Sequence, residues 1–170
     1  MGLSFFSYSG LINSITSLIL GCFFLFKNYK SVINRSFAYF AFSVSWWAFF
    51  YFLWLSARES ASALYFFRVA MIGAMMIPVT FIYFITNLLS VKKKYFNLGN
   101  LILAGAFILF SFSPIYIRGV EPRSIFPFWP IPGFLFHIML IQFFLNITYA
   151  HRLLWKEITL SSGVKRNQLK

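Results

Sequence analysis

The chain has 170 residues, of which 60% are hydrophobic, 23% aromatic and only 11% charged. A soluble domain carries roughly 25% charged residues, so a water-facing globule cannot be built from this composition. The net charge of +12 falls in short clusters between apolar runs, the pattern of loops beside membrane spans rather than of a nucleic-acid-binding face. No nucleic-acid partner is expected.

Five apolar stretches approach the roughly 20 residues that a helix needs to cross a bilayer core of about 30 Å. The first runs from about Gly10 to Phe26 and contains Asn13, Ser14, Thr16 and Ser17, whose small polar groups can bond the carbonyls of the preceding turn. No Lys or Arg precedes Lys27, and Phe6 stands where a myristoylation motif wants Ser or Thr, so this run reads as a retained span. Its lone cysteine, Cys22, has no intramolecular partner.

The basic stretch from Lys27 to Arg35 leads into a second span, about Phe37 to Leu55, which carries Trp46, Trp47 and Trp54. A polar link from Ser56 to Ser62 follows. The third span, about Leu64 to Leu89, contains Pro78, whose missing N–H and bulky ring predict a kink. Lys92, Lys93 and Lys94 close it. The fourth span is expected at about Leu98 to Tyr116, and the stretch from Ile117 to Pro132, with four prolines, reads as an ordered surface loop. A fifth span from about Gly133 to Ala150 gives way to a polar tail from His151 to Lys170.

Counting Lys and Arg in alternate loops gives eleven on one side and four on the other. The richer side holds Lys27, Lys30, Arg35, the three lysines at 92–94 and the basic residues of the tail. The positive-inside rule therefore predicts an outside N-terminus and a cytoplasmic C-terminus. The expected fold is an all-α polytopic membrane bundle of five transmembrane helices, taken as one region over 1–170, in the plasma membrane with the lipid bilayer as its solvent.

Chemistry has little to work with. Glu59, Glu121 and Glu157 are the only acids and all lie outside the spans. There is no Gly-rich phosphate loop, no nucleophile elbow and no set of metal ligands, so no catalytic residue, cofactor or metal is assigned. Arg68 lies a turn inside the outer end of span three, where an unpaired cation is costly. Either its long side chain snorkels to the headgroups, or it clasps an aromatic face on span two. Trp47, Tyr51 and Trp54, at spacings of four and three, supply such a face. His137, in the outer half of span five, is a candidate ligand contact or an interhelical hydrogen bonder. Gln142 and Asn146 read as interhelical hydrogen bonders.

Asn34 and Phe37 at the entry to span two, then Trp47-x3-Tyr51, then Arg68-x4-Gly73-x4-Pro78-x2-Phe81-x2-Phe84, occur in an order that resembles the N-terminal seven-helix membrane region of many bacterial histidine kinases. Ser162-Gly163 followed by Arg166-x-Gln168-Leu169 looks like the basic turn before the sixth helix of that region. The resemblance implies a sensory input role in two-component signalling, with an outer-half site for an unknown small-molecule or membrane stimulus. It also implies a homodimer formed through a C-terminal module. The expectation is a fragment truncated before helix six and without its own kinase module. Trp47, Tyr51, Trp54, Arg68, Pro78 and His137 are the candidate ligand-contacting or helix-coupling residues. The alternatives are a transporter or channel subunit, or a small non-catalytic membrane scaffold.

Overall fold

A computed structural model describes residues 2–160. Five helices run α1 Gly2–Lys27, α2 Val32–Ser56, α3 Ser60–Leu88, α4 Lys94–Phe110 and α5 Phe134–Leu160. Between α4 and α5 the chain forms an antiparallel hairpin, β1 Ile117–Arg123 and β2 Phe126–Pro132. Four helices are long and apolar enough to cross a membrane, and α4 is shorter. Many large side chains on their outer faces, such as Ile19, Leu109 and Leu145, are exposed, as suits a chain solvated by lipid.

The helices extend beyond the apolar runs. α1 begins at Gly2, well ahead of the expected Gly10. α5 continues through the start of the expected polar tail to Leu160, because Leu153 and Leu154 pack against a cluster of Ile82, Ile85, Leu89 and Ala150. The Ser162–Leu169 turn lies outside the described residues. α4 stops at Phe110 rather than continuing to Tyr116. Ser111 and Ser113 donate backbone bonds to Ile108 and Phe110, and Pro114 cannot continue a helix.

The largest departure is at 117–132, where a hairpin replaces the expected loop. Each strand has a neighbour on one side only, so a proline can direct its missing donor away from the ladder. Register shifts fall at Arg118 and Pro122, and Ser124 supplies the left-handed turn at φ 55°. The hairpin returns to α5 at Gly133, whose N–H donates to the Tyr116 carbonyl at 2.8 Å. Any Cβ at this glycine would collide with the backbone of Ile115 and Pro114.

α3 is the hub, packing on α2, α4, α5 and the hairpin. Its Gly73 lets the α2 backbone approach, since a Cβ there would sit 2.7 Å from the Trp47 nitrogen. α2 turns a face of small residues, Ala38, Ala41, Ser45 and Ala48, into the interior. Ser14 bonds across to α2 instead of to its own helix: its Oγ donates to the Ser45 carbonyl and Ser45 Oγ donates to the Ser14 carbonyl, each at 2.9 Å. Thr16 does bond back within α1, to Ile12.

Candidate functional site

The spacing of Trp47, Tyr51 and Trp54 places them on one face of α2, and their rings touch in sequence at 5.5 and 5.4 Å. Trp54 is the junction. It is 4% exposed, packs edge-on to Phe67 of α3 at 5.1 Å, and stacks near-parallel on Phe126 of β2. Its indole N–H donates to the Phe128 carbonyl at 2.8 Å. A buried indole needs such an acceptor, and a hairpin strand with one unpaired edge provides one. A third tryptophan, Trp129, closes the cluster against Trp54 and Phe126.

Arg68 does not clasp this aromatic face. Its guanidinium Nη2 donates instead to the Ile117 carbonyl, the first residue of β1, at 2.7 Å. Ile117 is fully buried, so this bond satisfies an acceptor that water cannot reach. A full charge–dipole bond to a fixed carbonyl outcompetes contact with a ring face. The cation over the cluster is Arg123, whose guanidinium carbon lies 5.9 Å from the Trp129 ring. Arg68 and Trp54 thus hold the hairpin from two helices, at the first strand and the second.

Two polar atoms at this end, Arg68 Nε and Tyr116 Oη, are buried and have no partner among the described residues. Tyr116 is fully buried, edge-on to Phe136 of α5. Such groups are costly to leave unmade.

The other candidates stand apart. Pro78 is buried within α3, which continues unbroken past it. It lies ten residues beyond Arg68, roughly 15 Å along the axis, and it leaves the Ala74 carbonyl without its usual helical donor. Two residues on, Thr80 Oγ1 donates to the Met76 carbonyl at 2.8 Å and approaches Ser43 Oγ of α2 at 3.3 Å. His137 is exposed near the start of α5, edge-on to Phe136 at 6.0 Å, and is not brought to the cluster. Gln142 does reach across helices, at 3.5 Å to Asn100, whereas the Asn146 Nδ2 is buried without a partner among the described residues.

The sequence reading missed the whole hairpin contribution: Ile117, Arg123, Phe126, Phe128 and Trp129. A usable signal was present, since three aromatic residues between closely spaced prolines seldom form a purely solvated loop. The acceptors themselves are backbone carbonyls, which no residue type announces.

A multi-helix membrane protein whose central helix grips a hairpin at one end is the class that the fold and this site define. The chain matches the family described as the N-terminal 7TM region of histidine kinase over residues 10–170, and it belongs to that family. No curated protein and no solved structure matches it.

Proposed function

We propose that this chain is the membrane-embedded input region of a signal-transducing histidine kinase or a related signalling protein. It sits in the plasma membrane with the hairpin outside and the basic loops inside, the orientation favoured by the distribution of Lys and Arg. Its stimulus, a small molecule or a change in the membrane, acts at the hairpin end, and homodimerisation through a C-terminal output module completes the signalling unit.

Beyond family membership, the observation that carries this reading is the grip of α3 on the hairpin through Arg68 and Ile117. The same helix contains Pro78, where a missing hydrogen bond lowers the cost of bending. Displacing the hairpin therefore pulls on a helix that can yield in its middle, and that movement reaches the cytoplasmic end.

The test places Arg68→Leu and Pro78→Ala separately at the native locus and reads response-regulator phosphorylation on phosphate-affinity gels. Each variant is expected to shift phosphorylation of the same regulator by about fivefold or more. Unchanged phosphorylation in both, at normal membrane abundance, overturns the sensory reading.

A further inference from the structure

At the end opposite the hairpin, α2, α3 and α4 enclose a groove of about 1060 Å³. α2 and α4 both lean on α3 without packing closely on each other, which leaves the space between them open. On α3 its lining runs from Met76 to Asn87, eleven residue steps or roughly 16 Å of helix rise. That is about half of a hydrocarbon core of ~30 Å, the depth of one leaflet. The walls are apolar, with Phe42, Val79, Leu98 and Leu101 among them, and Ser43 and Thr80 form a polar floor.

The mouth has the opposite character. Lys92, Lys93 and Lys94 line it, and no acidic residue does. These lysines stand at the N-terminus of α4, which has no side-chain cap and no acid in its first turn. A helix N-terminus carries partial positive charge and unpaired N–H groups, so adding three cations there is locally unfavourable unless an anion joins them. Ser90, at the lip, holds a left-handed backbone at φ 57°.

A further polar group lines the groove. Thr86 spends its hydroxyl proton on the Tyr83 carbonyl, so it can only accept from Asn97, whose Nδ2 donates to it at 3.0 Å. The Asn97 Oδ1 is thereby left as a buried acceptor with no partner among the described residues.

We propose that this groove is a binding site for an anionic phospholipid of the inner leaflet. The phosphate sits between the three lysines and the α4 N-terminus, and an acyl chain lies along Val79 and Leu101. Basic pockets between helices on the cytoplasmic side favour such headgroups. The site is independent of the hairpin reading.

The test purifies the full chain in neutral detergent and measures retained lipid by native mass spectrometry, with phosphatidylglycerol, phosphatidylcholine and inorganic phosphate as probes. Wild type is expected to retain phosphatidylglycerol about tenfold better than phosphatidylcholine. The triple variant K92Q/K93Q/K94Q loses that preference. The triple variant K27Q/K30Q/R35Q removes the same charge from the other basic loop and keeps it. Leu101→Trp, which fills the groove, lowers retention of phosphatidylglycerol in a protein still folded by circular dichroism. The proposal is overturned if both triple variants lose the preference equally, because the attraction is then a diffuse surface effect. It is also overturned if millimolar inorganic phosphate displaces the lipid fully, or if Leu101→Cys crosslinks two copies at high yield, which would make a second copy the occupant.

Discussion

Replacing Arg68 by leucine removes the bond that fastens β1 to α3. A hydrogen bond from a charged donor contributes about 1.5–3 kcal/mol, and the orphaned carbonyl of Ile117 would lie where water does not reach. Against this, the variant no longer buries part of a cation whose Nε has no partner. The net expected loss is about 2 kcal/mol of hairpin docking, or roughly thirtyfold in the opening equilibrium. Hydrogen exchange in lipid nanodiscs reads this locally. Amides from Ile117 to Phe128 should exchange about thirtyfold faster, while those of the α1–α2 contact around Ser14 and Ser45 keep the wild-type rate. Unchanged exchange in the hairpin would mean that the aromatic cluster around Trp54 holds it without help. A uniform acceleration across all helices would mean that Arg68 supports the bundle as a whole.

Three further outcomes follow from the packing. Gly73→Val puts a branched Cβ against the Trp47 backbone and should cost about 1–3 kcal/mol in reversible unfolding by SDS, whereas Gly99→Ala, with open space around it, should cost nothing measurable. Ser14→Ala and Ser45→Ala should be non-additive, with a coupling of about 0.6–1.7 kcal/mol in a double-mutant cycle, because the two hydroxyls also meet each other, Oγ to Oγ at 3.2 Å, a contact that either substitution removes; strict additivity would show that this contact contributes nothing. Gly133→Ala should displace the hairpin from the start of α5, read as increased labelling of a cysteine placed at Phe128; labelling at the wild-type rate would show that the close approach to Ile115 relaxes without consequence.

The helices were legible because the bilayer imposes a length and a polarity on them, and an apolar run of that length has few other uses. The face shared by Trp47, Tyr51 and Trp54 was legible for a similar reason, since spacings of three and four fix an azimuth on any helix. What Arg68 holds was not. Its partner is the carbonyl of Ile117, forty-nine positions away, and a carbonyl carries no signature of residue type. The prolines of 117–132 misled because strand propensity is judged for a strand inside a sheet, while a two-stranded hairpin consists only of edges. The three lysines at 92–94 were visible as a topological signal, but the groove beside them depends on how α2 and α4 diverge from α3, which neither helix encodes alone.

Both ends of the molecule converge on α3, and thermodynamic reciprocity turns that convergence into a measurable relation. Arg68 grips the hairpin near the start of the helix, and Thr86 positions Asn97 eighteen residues later, roughly 27 Å away along the axis. If α3 moves as one element that yields at Pro78, hairpin docking and lipid occupancy bias the same equilibrium. Each must then alter the other by the same factor. Phosphatidylglycerol retention measured on Arg68→Leu would therefore change in the direction, and by no more than the factor, by which added phosphatidylglycerol changes hairpin exchange in the wild type, reaching the whole factor only where the variant undocks the hairpin fully. Pro78→Ala, which restores the backbone donor and stiffens the helix, should alter that factor. Retention identical in wild type and Arg68→Leu would show that α3 holds two independent sites.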